Sequence, residues 1–314
     1  MSEILSDKAL KRIEVAERIH EVSAQEDNAL TYMANVFASV TLPHSKVEGA
    51  EYVRSNGDLT LIVTTPTASG GIPYGVPPRL ILAWLSREVV LKKSRIVELG
   101  GTLPEFLRKI GITPTGGARG TLQMYRRQAE SLFASTFHCQ VSGKLADIHK
   151  ERNIHMLISD SSSSWWGPKK PGEEFRWESE FRLSQGFYEH ILEAPVVLDN
   201  RVLSGLKGSA LEIDLYIWLT YRLRKLRRPL ELTWEDLALQ FGAGYNMESR
   251  QGKHLFKTKL KHHLKRVLTF YPEARVSESD KGKGLLLLHS PPHVPAQLSL
   301  PGMNIGNDES EDIS

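Results

Sequence analysis

Two helix-start signals, 131 residues apart, constrain the fold more than any other feature of the 314-residue chain. Thr102-Leu-Pro-Glu105 and Thr233-Trp-Glu-Asp236 have the form of a capping box, in which a hydroxyl and a carboxylate satisfy free N–H groups at a helix start. Each predicted helix ends at a glycine, Gly111 or Gly242. A segment with helical periodicity precedes each box, and a basic segment with the same periodicity follows it. The sequence therefore predicts an internal repeat.

The basic segment of the second half, residues 251–270, contains six Lys/Arg and no acid. Its apolar residues recur with the period of an amphipathic helix: Phe256, Leu260, Leu264 and Val267. Its cationic side chains cluster on the opposite face: His254, Lys257, Lys261 and Lys265. Like charges four residues apart destabilise a helix by roughly 0.2–0.5 kcal/mol per pair, and phosphates would relieve that repulsion. The pattern indicates DNA binding, and a solvated helix face is the alternative.

The first half has a matching helix over residues 119–136, and no acid occurs between Glu105 and Glu130. A helix, a short turn and a following basic helix are typical of the helix-turn-helix, whose second helix enters the major groove. Strands are predicted after each basic helix, at 136–141, 154–159, 175–183 and in a hairpin over 275–289. The predicted DNA-binding residues are Arg119, Gln123, Arg126, Arg127, Arg250, Lys253, His254, Lys257, Lys261, Lys265, Lys281 and Lys283.

These elements predict an α+β fold made of two tandem winged-helix domains that are related as an internal repeat. Residues 1–65 are expected to form a helical N-terminal extension, with helix to about residue 38. Winged-helix domain 1, residues 66–194, would bind DNA and serve in dimerisation. Domain 2, residues 195–292, would be the main DNA-binding domain, and residues 293–314 a flexible acidic tail. The serine-rich segment 159–172 is predicted to be an exposed loop.

The composition of the chain limits the classes of protein to which it can belong. The net charge of +3 conceals a local excess, because residues 201–290 hold 17 Lys/Arg against 9 Asp/Glu. The single cysteine, Cys139, excludes an internal disulfide framework and a cysteine-based zinc cluster. The N-terminus lacks a secretory apolar region, and no apolar run approaches the ~20 residues that span a bilayer. We therefore expect a cytoplasmic bacterial protein.

Sequence signatures of enzymes are largely missing: there is no phosphate-binding P-loop, no H-E-x-x-H and no G-x-S-x-G. His254 and the adjacent pair His262-His263 are interpreted as phosphate-facing or solvent histidines, because neighbouring histidines on a helix do not face one metal site. No cofactor is expected. A third basic run, residues 222–228, fits a phosphate contact, a pairing surface or simple compensation of the helix dipole.

Several long strings resemble the plasmid-encoded RepA replication initiators across about residues 70–292. They are 71–85, Glu98-Leu-Gly, 102–111, 116–120, 215–222, 232–236 and 270–274. The resemblance implies a protein that binds repeated double-stranded sites (iterons) at a plasmid origin and starts replication. It also implies two winged-helix domains, one of them used for homodimerisation, and recruitment of the host helicase or its loader. Catalysis by the chain itself is not expected.

The tail contains Gln297-Leu-Ser-Leu-Pro301, which resembles the short peptide by which bacterial proteins bind the replicative sliding clamp. Gln297, Leu298, Ser299 and Leu300 would make that contact, and Pro301 stands where an aromatic residue is usual. A featureless linker is the alternative. For the whole chain, the alternative to an initiator is a transcriptional regulator that represses its own promoter. An origin-nicking enzyme would need a tyrosine near metal-binding histidines, and no such cluster is evident in the sequence.

Overall fold

The computed structural model describes residues 7–21, 29–57, 59–141, 154–159, 180–280 and 282–295. Helices and short strands alternate there in an α+β arrangement. The helices are α1 Asp7–Glu21, α2 Val36–Ser39, α3 Val76–Lys92, α4 Leu103–Lys109, α5 Thr121–Ala134, α6 Gln185–Glu193, α7 Asn200–Leu206, α8 Ala210–Lys225, α9 Trp234–Phe241 and α10 Arg250–Leu268. The strands are β1 Leu30–Met33, β2 Glu51–Ser55, β3 Leu59–Thr64, β4 Ile96–Glu98, β5 Thr136–Val141, β6 Ile154–Leu157, β7 Glu180–Arg182, β8 Val196–Asp199, β9 Leu230–Thr233, β10 Val276–Glu278 and β11 Gly284–Leu287. None of the helices among these residues is long and apolar enough to cross a membrane.

The strands form small antiparallel sheets. In the second half β11 lies between β9 and β10, so the element order is helix, strand, helix, helix and hairpin. In the first half β4 pairs with β7, and a bridge between Ser159 and Leu183 links β6 to the end of β7. The first half also has a four-stranded sheet in the order β2-β3-β5-β6. Its β5–β6 pairing therefore belongs to a larger sheet than the three strands of the second half.

Both predicted helix starts are formed by side-chain caps. Thr233 accepts a hydrogen bond from the Asp236 N–H, and Asp236 accepts one from the Thr233 N–H, which completes the capping box. Thr102 caps the Glu105 N–H in the same way, but the Glu105 carboxylate accepts from Gly101 N–H instead of Thr102 N–H. Each cap satisfies backbone donors that a helix start leaves free, and each is worth about 1 kcal/mol.

The N-terminal 65 residues are not a helical extension, and in this respect the prediction is wrong. Helix α1 ends at Glu21, and Leu30–Met33 form strand β1, which pairs with β8 at the start of the second half. Strands β2 and β3 then form a hairpin around Asn56-Gly57. Helical spacing of apolar residues in the sequence was overridden here by long-range strand pairing, which buries Tyr32 and Met33. The described residues of this segment are therefore part of the folded body.

The two halves contact each other through helices α3 and α8, and a buried ion pair joins these two helices. Arg79 of α3 donates to both carboxylate oxygens of Asp214 of α8, each at 2.6 Å. Its remaining N–H groups donate to three backbone carbonyls, those of Leu42, Pro43 and Gly75. Every donor of the guanidinium is satisfied, as burial of a charge requires.

His44 completes this polar centre, with its Nε2 2.9 Å from an Asp214 oxygen. Burial lowers the pKa of His44, and this outweighs the opposing hydrogen bond and charge of Asp214. Burial by itself would raise the pKa of Asp214, but the Arg79 charge and the hydrogen bonds from His44 and Arg79 hold it below its usual range. Asp214 is therefore ionised at neutral pH and shared between both halves.

Candidate nucleic-acid interface

Helix α10 is held on the protein by the four residues that its periodicity predicts. Phe256, Leu260, Leu264 and Val267 are the buried residues of this helix. Ser249 caps the first turn by accepting from the Gly252 N–H at 2.9 Å. The four residues at the centre of the opposite side are all exposed: Gln251, Leu255, Thr258 and His262. These four were not among the predicted contacts, although their spacing of i, i+4, i+7 and i+11 places them opposite the buried stripe.

We use "basic ridge" for His254, Lys257, Lys261 and Lys265, which border this exposed side. The ridge is acid-free in sequence but not in space, because carboxylates of other elements reach it. Glu278 of β10 lies 2.7 Å from Lys257 Nζ and 2.5 Å from Lys261 Nζ. Next to the ridge, Lys253 lies 3.7 Å from Glu235 of α9. The self-repulsion inferred from the sequence is therefore partly relieved within the protein.

Other basic side chains of α10 have no acidic partner within the described part of the chain. These are Arg250, His254, Lys259 and Lys265, all of them exposed. Lys259 was missed in the sequence because it lies off the line of the basic ridge. Side chains of this kind contribute most to DNA affinity when they contact a phosphate, because no existing ion pair has to be broken first. They make the ends and outer edge of α10 its most available positive charge.

His263 and Arg266 have a different role from that of a phosphate contact. Both reach Glu212 of α8, which is fully buried: His263 Nδ1 lies 2.9 Å and Arg266 Nη1 2.7 Å from Glu212 Oε1. The interpretation of His263 as a solvent or phosphate-facing histidine is therefore wrong. A carboxylate on a neighbouring helix makes it a structural tie between α8 and α10, which the sequence of α10 alone could not show.

The β10–β11 hairpin is fastened to α10 and α9 at its turn. Lys257 Nζ donates to the Gly282 carbonyl at 3.0 Å, and Trp234 Nε1 donates to the same oxygen at 2.8 Å. The Lys257 ammonium also lies 4.9 Å from the centre of the Trp234 ring, within cation–π range. Lys283 is exposed beside the turn, and the predicted contact Lys281 lies outside the described residues. The hairpin is thus positioned next to the basic ridge.

Helix α5 presents a similar exposed side in the first half. Arg119 precedes the helix, and Gln123 and Arg127 lie on it, all exposed. Arg126 is one-third exposed and pairs with Glu130 at 3.3 Å. Met124 and Leu255 are both exposed large apolar residues, and the offset of 131 that relates the capping boxes also relates these two positions.

Glycine allows the preceding loop to fold tightly against each of these helices. A Cβ at Gly252 would overlap the Asn246 carbonyl, and a Cβ at Gly120 would overlap the Thr115 carbonyl. Close backbone approach of this kind is a position where only glycine fits. The loops before α5 and α10 are therefore compact.

Of the remaining predicted sites, the basic run 222–228 lies away from this surface. Residues 297–301 lie outside the described residues. In the run 222–228, Lys225 lies over the Tyr221 ring at 4.7 Å. Because Leu230 pairs with Leu287, this run is near the end of the sheet that is remote from the hairpin turn. No group of three or more metal-ligating side chains occurs among residues for which positions are described.

Comparison with known proteins identifies the family. The sequence profile of the plasmid-encoded RepA proteins matches residues 72–236, more than half of the chain. The chain belongs to the plasmid-encoded RepA family. A search of curated proteins gives no match. Among solved structures, domains 2 and 3 of RctB are similar, with 15% identity and a TM-score of 0.47 over 80% of this chain and 95% of that chain. A second structure of RctB domains 2–3 gives 15% identity and a TM-score of 0.44 over 81% and 95%.

Proposed function

We propose that this RepA-family protein is a plasmid replication initiator that binds repeated double-stranded sites at the plasmid origin. The single observation that carries the proposal, beyond family membership, is the surface of α10. Its exposed line, Gln251, Leu255, Thr258 and His262, is bordered by basic side chains and by an anchored hairpin. A helix with such a face is suited to a major groove about 12 Å wide, with the hairpin along the adjoining phosphates. The element order of residues 210–287 supports a winged-helix assignment for the second half.

The first half is proposed to bind in the same way through α5. The offset of 131 that the capping boxes share with the exposed apolar residues Met124 and Leu255 supports an internal repeat of two winged-helix units. Two groove contacts on one face of the duplex would cover roughly two helical turns, about 20 base pairs. In this arrangement Arg119, which precedes α5, corresponds to Arg250 at the same offset, and Arg127 of α5 adds a further exposed cation. The protein would bend or loosen an adjacent A·T-rich segment and leave the chemistry of replication to host enzymes.

Base reading is assigned to the exposed line of α10. Gln251 can form a bidentate contact with adenine, and Thr258 can bond to several base edges. Leu255 is 46% exposed, although it lies among polar and charged residues. An apolar side chain in a groove that is otherwise polar is suited to the 5-methyl group of thymine. Met124 would make the equivalent contact from α5.

Footprinting of the purified protein across the origin of its own plasmid, at two salt concentrations, tests the proposal. Regularly spaced protections of about two helical turns are expected, weakening as salt rises. A single protected promoter site would instead favour a transcriptional regulator that represses its own gene. Replication of an origin plasmid with the protein supplied in trans separates the two functions. Failure to support replication, despite normal binding, would contradict initiation.

Lys265 and Arg126 provide variants for the binding step. Lys265 has no acidic partner within the described part of the chain, so Lys265→Ala should reduce the slope of log affinity against log salt by about 0.9. Arg126 already pairs with Glu130, so Arg126→Ala should change this slope less. Lys225→Ala, remote from the hairpin turn, is the matched control and should leave the slope unchanged. Equal slopes for wild type and Lys265→Ala would count against α10 as the phosphate contact.

The proposals about host partners are based on the sequence alone. Residues 297–301 are proposed to bind the sliding clamp, as their resemblance to clamp-binding peptides suggests. Titrating a peptide of residues 294–306 against purified clamp tests this, with Gln297→Ala as the control. Binding of the natural peptide and loss of it in the control are expected. Absence of binding by both peptides would remove the clamp from the list of partners, which otherwise includes the helicase or its loader.

A further inference from the structure

A carboxylate lies at the centre of the positive surface that is proposed to meet DNA. Glu278 projects from β10 between Lys257 and Lys261, with nitrogen–oxygen distances of 2.7 and 2.5 Å. Hydrogen bonds from Lys257, the larger contribution, and from Lys261 hold the pKa of this carboxyl below its usual range. It is therefore ionised at neutral pH. The three side chains together present one net positive charge instead of two.

The two lysines differ in how firmly they are held. Lys257 is one-third exposed and also contacts the Gly282 carbonyl and the Trp234 ring. Lys261 is 46% exposed, and Glu278 is the one partner it has within the described residues. A lysine ammonium has three N–H donors on a flexible stem, so Lys261 can turn from the carboxylate to a phosphate. The carboxylate and a DNA phosphate are then alternatives for the same donor.

We propose that Glu278 is a specificity-determining residue that competes with DNA phosphates for Lys257 and Lys261. The inference rests on the proposed binding of DNA by α10. Affinity for random DNA comes almost entirely from phosphate contacts, whereas affinity for the cognate site also includes base contacts. In a complex with random DNA, no base contact fixes the helix, and freed ammonium groups can each settle on a phosphate. Glu278 therefore weakens binding to random DNA more than binding to the cognate site.

Glu278→Gln tests this with little change of shape, because the amide oxygen can still accept a hydrogen bond. Affinities of wild type and variant are measured by fluorescence anisotropy on a random duplex and on a footprinted site, at 50 and 200 mM salt. One additional phosphate neutralised steepens the salt slope by about 0.9. The advantage of the variant on random DNA should therefore shrink about 3.5-fold between the two salt concentrations. The gain in affinity of Glu278→Gln over wild type should be smaller on the cognate site than on random DNA at both salt concentrations.

Glu273→Gln is the control for the change in net charge, since Glu273 is an exposed residue of the same half and forms no ion pair with other described residues. It should leave both affinities near those of wild type. If Glu278→Gln binds random DNA no better than wild type, while melting at the same temperature, the proposal is overturned. Glu278 would then serve only to fasten the hairpin. Failure of wild type to bind any duplex would instead overturn the proposed function itself.

A double-mutant cycle keeps the test decisive if Glu278→Gln loosens the hairpin. Lys261→Met is introduced into wild type and into the Glu278→Gln variant, and binding to random DNA is compared. If Glu278 competes with phosphates, Lys261→Met should reduce the affinity for random DNA only slightly in wild type, where Lys261 is already paired. In the Glu278→Gln background the reduction in affinity should be at least threefold larger. Equal losses in both backgrounds would show that the two side chains act independently, which contradicts the proposal.

Discussion

Asp214 should contribute more to the stability of this protein than any exposed ion pair. The change Asp214→Asn keeps the shape of the side chain but leaves the Arg79 guanidinium, 3% exposed, without a counter-charge. Breaking a buried pair in this way costs about 3–5 kcal/mol. Three of the five Arg79 hydrogen bonds go to backbone carbonyls and survive the change. We therefore expect a loss at the lower end, about 3 kcal/mol, from a total of roughly 5–15 kcal/mol.

Urea unfolding followed by circular dichroism measures this loss. With a slope of about 2–3 kcal/mol per molar urea, the midpoint of unfolding should fall by about 1 M or somewhat more. Glu48→Gln provides the matched control, because Glu48 pairs with Lys46 at 3.0 Å while both side chains are mostly exposed. Its removal should change the free energy of unfolding by less than about 1 kcal/mol. Equal effects of Asp214→Asn and Glu48→Gln would refute the reasoning.

A second variant separates the cost of an unpaired charge from the value of the pair itself. Arg79→Met combined with Asp214→Leu removes both charges and leaves apolar side chains of similar length in the interface. Such replacements are often neutral or stabilising when the new side chains pack well. The double variant should therefore be more stable than Asp214→Asn alone. If it is less stable, the ion pair itself, rather than the absence of an orphaned charge, stabilises the contact between the halves.

Three further results are expected. If Leu255 contacts a thymine methyl group, replacing that thymine with deoxyuridine should weaken DNA binding by wild type about fourfold, because burial of a methyl group contributes ~0.8 kcal/mol. The same replacement should not change the affinity of Leu255→Ala. An equal effect on both proteins would argue against the contact. The pKa of the partly buried His44 is lowered in the folded protein, so its contribution to stability is present above its ordinary pKa of 6.5 and is lost as pH falls below it. Urea unfolding at pH 7 and pH 5 should show a smaller decrease for His44→Gln than for wild type, and an equal decrease would exclude His44 as the source. Gly205→Ala should cost about 1–3 kcal/mol, because a Cβ there would lie 2.8 Å from the buried ring of Phe270; an unchanged melting temperature would contradict this.

Features determined within one helix or turn could be predicted from the sequence. The buried stripe of α10 and the cap at Thr233 depend on neighbours a few residues away, so period and residue type are sufficient. The same reasoning could have located the β2–β3 hairpin, since Asn56-Gly57 between alternating apolar residues is a strong local hairpin signal. It could also have found Gln251 and Thr258, which lie opposite a stripe that was correctly placed.

Features that depend on distant elements could not be predicted in this way. Strand β1 pairs with β8 across more than 160 residues, and nothing local distinguishes its four residues from the end of a helix. The partners of the α10 cations are equally remote: Glu212 lies on α8 and Glu278 on β10. The sequence indicates which residues are charged, but the tertiary fold decides which charges remain available to DNA.

The contacts between the halves bear on how two DNA-binding units would act together. Two domains on a flexible linker gain avidity according to the length of that linker, whereas rigidly packed domains gain it only on sites whose spacing matches their own. Here β8, which lies between the halves, is buried along its length and pairs with β1, and α7 buries Val202, Leu203 and Leu206. Gln240 of α9 also hydrogen-bonds to the chain at Ala38 and Thr41. The Arg79–Asp214 pair joins α3 to α8, and the ties of Gln240 reach α9, which precedes α10. The separation of α5 and α10 is therefore set by the fold. Repeat spacing at the origin is therefore a property that this protein would select through its structure, and not through the sequence of the DNA alone.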